Sequence, residues 1–268
     1  MPSGVVARTM FIRRWLIGIP LATVQASGER LSKLVALAVF SSDALSSVAY
    51  ATEEMLLVLV LAGSLALGWS IPLSLAITLL LSILTVSYRQ TIHAYPSGGG
   101  SYIVAKANLG ELPGLTAAAA LMIDYVLTVS VSVSAGVAAL TSALPALLRH
   151  RVGLALLAVG IVTVVNLRGI RESGRTFAGP TYLFIGSLFV MLLVGFGRFL
   201  MGGLPPGQAA AAPAPIAGLT LFLLLRAFSS GCTALTGVEA ISNGVPAFRP
   251  PEAKNAATTM ACAAAILG

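Results

Sequence analysis

FSSDALSSVAYATEE, residues 40–54, decides the fold. It sets Asp43, Glu53 and Glu54 within one long apolar run, Leu34–Ala62. A carboxylate at the bilayer centre costs roughly 2.5–3.5 kcal/mol on insertion scales, so it needs a partner, a cavity or a cargo. Around Asp43 the good helix formers give way to Ser41, Ser42, Ser46 and Ser47. Their hydroxyls can satisfy backbone groups where a helix comes apart, and they can ligate a cation. The combination predicts a transporter whose first membrane helix is broken.

Composition agrees. The 268 residues are 57% hydrophobic and 9% charged, with a mean hydropathy of +0.95, whereas a soluble domain carries about 25% charged residues. This is a multi-pass membrane protein. The net charge of +7 and pI near 9.9 do not point to nucleic acid, because the basic residues sit between the apolar runs, where the positive-inside rule places them. Cys232 and Cys262 fall in apolar segments and read as small packing residues rather than a disulfide. The N-terminus lacks a short apolar core followed by a cleavage site.

Residues 1–33 form a basic cytoplasmic segment in which Met10–Ile19 is expected to lie on the membrane surface. Residues 34–268 form the transmembrane domain. Its spans are Leu34–Ala62, Ile71–Thr91, Leu115–Leu140, Val152–Asn166, Phe177–Leu200 and Ala217–Pro246, with a seventh that begins near Ala256 and is cut off at Gly268. The first would be ~43 Å long if straight, against roughly 30 Å of hydrocarbon, so it tilts or breaks. With the N-terminus inside, cytoplasmic segments hold Arg8, Arg13, Arg14, Arg30, Lys33, Arg89, Lys106, Arg168, Arg171, Arg175, Arg249 and Lys254. External segments hold Arg149, Arg151 and Arg198. That imbalance sets the orientation. Pro205–Pro215 reads as a flexible external loop. Pro96–Tyr102, PSGGGSY, lacks the lysine and spacing of a phosphate-binding loop and reads as a turn and re-entrant connection.

A faint repeat links two spans. FSS-D-ALSSV at 40–48 matches FSS-GCT-ALTGV at 228–238. The copies lie five spans apart, on helices that cross in opposite directions, as in a five-plus-five inverted repeat whose paired interruptions mark a binding site. The first repeat is 34–200, and 217–268 opens the second.

The third span adds Asp124, Thr128 and Ser132 at i, i+4 and i+8, which puts them on one helix face beside Tyr125. The sixth adds Thr236 and Glu239, and the first adds Tyr50 to Asp43. Three bare acids at comparable depth would cost about 8–10 kcal/mol, which a cation with hydroxyl and carbonyl ligands offsets. A buried Glu239 can also carry a proton. Arg226, in the outer half of the sixth span, is expected to pair with Glu53 or Glu54. His93 and His150 sit at membrane edges without zinc spacing. No nucleophile–base pair or nucleotide loop is visible, so no enzyme and no cofactor is expected. An intramembrane protease pair of Asp43 and Asp124 lacks its motif at Ile123-Asp124-Tyr125.

SSDALSSVAYATEE, YPSGGGSYIVAKANLG, RAFSSGCTALTGVEAISNGVPAF and PPEAKNAATT together resemble the KimA-type potassium importers of the amino acid–polyamine–organocation (APC) superfamily, often labelled amino acid permeases. The resemblance runs from about Leu16 to the end. It implies an all-α membrane protein of the LeuT/APC inverted-repeat fold, in the plasma membrane, that couples potassium uptake to protons. It implies an ion site of Asp43, Tyr50, Asp124, Tyr125, Thr128, Ser132, Thr236 and Glu239, with Glu239 as the proton-linked position. The partners implied are potassium, protons and membrane lipid, with a homodimer for the full-length form. The family is similar to twelve-helix carriers with a cytoplasmic region that can bind a cyclic dinucleotide. This chain stops inside the seventh span and by itself is expected not to transport. Two other readings are an amino acid or polyamine permease of the same fold, and a non-transporting truncated membrane subunit. Asp43 at the break would repel a substrate carboxylate, which argues for a cation.

Overall fold

The computed structural model describes residues 29–167, 169–202, 215–216 and 218–268. The surface segment expected at Met10–Ile19 and all but the last residue of the Pro205–Pro215 loop lie outside them.

The first span is two helices, α1 (Lys33–Phe40) and α2 (Ser42–Leu59), separated by Ser41 and followed by a 3-10 turn, Val60–Ala62. The serines make this break. Ser41 Oγ donates to Leu37 O, and Ser42 Oγ donates to Val39 O at 2.9 Å, so hydroxyls compete with the helix ladder for its own carbonyls. Then follow α3 (Ser70–Ala94), α4 (Ser101–Leu109), α5 (Glu111–Ala143), α6 (Arg151–Leu167) and α7 (Ile170–Leu200). The sixth span is also broken. α8 (Leu221–Gly231) passes into a 3-10 turn, Cys232–Leu235, then through Thr236–Glu239 to the one-turn α9 (Ala240–Asn243). α10 (Glu252–Leu267) closes the order. Among the described residues, six stretches are long and apolar enough to cross a membrane. Among the described residues the β contact is a single isolated bridge, so the fold is all-α.

The expected spans all form. The largest shift is α7, which starts seven residues before Phe177 and continues through Pro180. Its first turns are polar, so hydropathy alone does not mark them. Ser173 Oγ donates to Asn166 Oδ1 at 2.7 Å, which ties this start to the end of α6.

Two apolar clusters lie on either side of the breaks. One joins α1, α3, α9 and α10 through Leu37, Ile92, Ile241, Phe248 and Met260. The other joins α2, α3 and α8 through Met55, Leu59, Ile77, Leu223 and Ala227. The broken spans therefore sit in the packed interior. α5, α6 and α7 form an outer wall, with Leu127, Leu156 and Leu193 turned outward. In lipid an outward leucine is no liability, because acyl tails are as apolar as the core. Cys262 is exposed on α10, whereas Cys232 is half-buried at the sixth-span break.

The chain ahead of α1 belongs to this interior. Leu31 is 2% exposed. It pairs with Phe248 in a parallel bridge, donating to Ala247 O at 2.8 Å and accepting from Arg249 N at 3.1 Å. Arg30 forms a salt bridge with Glu252 beside it. Phe248 is fully buried and stacks on Phe40, with ring centroids 5.5 Å apart. Replacing Phe248 with Ala should cost about 3–5 kcal/mol. The check is a lowered thermal midpoint in detergent, with α1 and the start of α10 losing amide protection together.

Candidate functional site

The two breaks touch. Gly237 has φ +78, a conformation that side chains resist, and a Cβ built there would lie 2.6–2.7 Å from the carboxyl end of Asp43. Asp43 lies in the first turn of α2, where exposed backbone N–H groups favour a negative charge. Glycine thus lets the backbone of the sixth span come against the acid of the first.

Glu239 follows two residues later and is buried. Its carboxyl lies against the backbone N–H groups of Gly237 and of its own residue. Yet Oε1 is buried without a hydrogen-bond partner, one of two such side-chain atoms among the described residues, with Thr259 Oγ1. A buried acid oxygen without a partner is costly and asks for a proton or a ligand. Asp124, half-buried on α5, lies close enough for its charge to act on both Asp43 and Glu239. The three acids from three spans therefore share one electrostatic neighbourhood.

Hydroxyls bridge the same elements. Ser47 Oγ and Thr236 Oγ1 are 2.7 Å apart, linking α2 to the break in the sixth span. Ser47 Oγ lies 3.3 Å from Tyr50 OH. Ser132 on α5 reaches α2 twice, at 3.1 Å from Ser46 Oγ and 3.5 Å from Tyr50 OH. Thr128 is buried one turn before Ser132. Tyr125 OH accepts from Asn243 Nδ2 at 2.9 Å. Asp43, Tyr50, Asp124, Tyr125, Ser132, Thr236 and Glu239 are thus joined by hydrogen bonds, contact or field, and Thr128 shares their helix face.

Sequence reasoning did not assign roles to Tyr88 and Asn243. Ser46 and Ser47 stand in the quoted serine run and were legible as hydroxyls near the break. Asn243 lies one helical turn after Glu239, the spacing that shares a face. Tyr88 on α3 sits beside Ser101 and within the field of Glu239, and nothing in the α3 sequence marks it.

The expected pairing of Arg226 with Glu53 or Glu54 is not formed. All three side chains are exposed, and among the described residues the salt bridge is the one between Arg30 and Glu252. α2 and α8 meet through Met55, Ala227 and Gly231, all buried. This small-residue seam brings the helices close and turns the long charged side chains outward, where they can snorkel.

Among the described residues, no three His, Cys, Asp or Glu side chains lie close enough to chelate a metal ion together. The acids are spaced, with hydroxyls between them. That arrangement suits a weakly held monovalent cation among neutral oxygens, with the carboxylates supplying field. It does not suit a tightly chelated divalent ion, which takes several carboxylates directly.

Two interrupted membrane helices around an oxygen-lined acidic centre define a polytopic helical membrane protein. The family model for amino acid permeases matches residues 31–268, and the chain belongs to that family. It is also similar to the potassium transporter KimA of Bacillus subtilis (strain 168), at 52% identity over 251 residues, which are 93% of this chain. The chain spans 41% of that relative's length.

The contact between Gly237 and Asp43 carries a prediction. Gly237→Ala adds a methyl against the acid and a side chain at positive φ, at a cost of order 1–3 kcal/mol in strain. Membrane insertion should persist while the thermal midpoint in detergent falls. Thermal unfolding and surface abundance, measured side by side, check it.

Proposed function

We propose that this chain forms the ion-binding half of a secondary active potassium importer of the plasma membrane, oriented with its N-terminus inside. The observation that carries the reading is Glu239 Oε1, buried and without a partner in a centre shared with Asp43 and Asp124. The relative named a potassium transporter supports potassium as the cargo.

The ligands are the oxygens of Tyr50, Tyr125, Thr128, Ser132 and Thr236, with Asp43 and Asp124 balancing the ion's charge. A potassium ion gives up its hydration shell only where several oxygens replace it. The hydroxyl chain from Ser132 through Tyr50 and Ser47 to Thr236, with Ser46 branching from Ser132, supplies such oxygens from three spans. Glu239 alternates between a protonated and an ionised state, coupling uptake to protons. Alternating access follows from one group of helices rocking against the other around this centre. A homodimeric full-length form belongs to the same reading.

An amino acid substrate fits the site less well. Carriers of that kind aim free N–H groups of a broken helix at the substrate carboxylate. Here Asp43 occupies the first turn of α2 and lies against Gly237. A second carboxylate at that point would meet a like charge within contact distance, whereas a cation would not.

The test is rubidium uptake by the full-length form in a potassium-starved host, against a panel of labelled amino acids and polyamines. Rubidium should enter and the panel should not. Asp43→Asn, Asp124→Asn and Glu239→Gln should each lower uptake at least ~tenfold, a loss of about 1.4 kcal/mol or more, with membrane insertion intact. Glu239→Gln should also flatten the dependence of uptake on external pH. Full-rate uptake by all three variants would count against the site.

A further inference from the structure

The glycine-rich loop does more than reverse the chain between α3 and α4. Gly99 N donates to Ser242 O at 2.9 Å, and Ser242 Oγ donates back to Gly99 O at 2.8 Å. Ser242 is fully buried. A Cβ at Gly100 would overlap the carboxamide oxygen of Asn243, and one at Gly99 would come within 2.8 Å of Ser242 Oγ. The glycines therefore form a socket that α9 fills, and the Asn243 side chain occupies the space that Gly100 leaves.

From that socket the other end of the carboxamide reaches the site. Asn243 Nδ2 donates to Tyr125 OH at 2.9 Å. An amide NH2 cannot accept, so the phenol oxygen accepts and its own hydrogen points elsewhere. Tyr125 lies in the field of Glu239, Asp43 and Asp124 together. Asn243 also follows Glu239 by one turn of α9, with its backbone N donating to Glu239 O at 2.9 Å. One residue thus fixes a phenol of α5 relative to an acid of the sixth span. The loop touches that acid's surroundings by a second route, since Ser101 at its end stands beside Tyr88, which also feels Glu239.

We propose that Asn243 is a positioning residue of the ion site, acting through Tyr125 and seated in the glycine socket. This rests on the potassium reading above. Asn243 touches no cargo. It holds the Tyr125 hydroxyl in one orientation, and it makes the loop, α9 and the facing stretch of α5 move as one body. Gly99 and Gly100 are required because any side chain would unseat it.

The experiment is a double-mutant cycle in the full-length form, with Asn243→Ala, Tyr125→Phe and the pair, read by rubidium uptake and by amide exchange of the peptide spanning 96–101. Asn243→Ala should raise the half-saturating rubidium concentration about tenfold while the maximal rate stays within about twofold, since a lost orienting hydrogen bond weakens binding. In the Tyr125→Phe background the same change should alter the half-saturating concentration by less than about twofold, because the effect passes through the phenol. Exchange at 96–101 should speed up in Asn243→Ala. Asn243→Ser, which keeps a small polar group, carries the same test if the alanine variant does not reach the membrane. An unaltered half-saturating concentration, or equal losses in both backgrounds, overturns the proposal. If the unsubstituted full-length form takes up no rubidium, the potassium reading fails instead. The clamp is then judged on exchange alone, where unchanged protection at 96–101 overturns it.

Discussion

The structure depends on a close approach between backbone and acid. Gly237 brings the broken sixth span against Asp43 of the broken first span, with no side chain between them. Everything at the centre follows from that distance. Thr236, one residue earlier, then reaches Ser47, and Glu239, two residues later, is drawn into the buried interior. A larger residue at 237 would separate the spans and let lipid or water into the gap. An unpaired buried acid is tolerable because the two helices that carry the breaks are themselves held rigid above and below. The two apolar clusters on either side supply that rigidity.

Much of this was legible in the chain. The serine run around Asp43 and the glycine–threonine run around Gly237 both mark breaks, because hydroxyls and glycine weaken a helix whatever surrounds it. Asp124, Thr128 and Ser132 declare their shared face by spacing alone. Which groups meet across spans was less legible. Ser46 and Ser47 read as break-makers, yet one faces Ser132 and the other Thr236. Nothing local decides that, because the direction of a side chain on α2 acquires meaning only when α5 and the sixth span are packed against it. Arg226 shows the reverse error. Matching depth suggested a partner in Glu53 or Glu54, but depth does not tell which way a side chain faces, and the Met55–Gly231 seam turned all three outward. The glycine loop was the subtlest case. PSGGGSY reads as a turn from its composition, and it is one, but its glycines are spent on contact with Ser242 and Asn243, which lie more than a hundred residues away.

The wall of α5, α6 and α7 differs in kind from the interior. α6 buries no residue, and α7 buries few. α5 is the exception that matters, since one of its faces holds Asp124, Thr128 and Ser132 while the others are apolar and exposed. A single unbroken helix of 33 residues thus serves as both outer wall and inner lining. Placing polar groups on an unbroken helix keeps their spacing constant beside the interrupted spans.

One small feature reaches beyond the site. The strand-like pairing of Leu31 with Phe248 leaves backbone groups outside any helix, and hydrocarbon does not tolerate such groups unless protein covers them. Arg30, Lys33, Arg249, Glu252 and Lys254 flank that pairing in sequence, and Arg30 and Glu252 form a salt bridge across it. Together they draw a waterline around the molecule, a contour where oily slab gives way to headgroups. That contour sets how deep the bundle of helices sits in the slab.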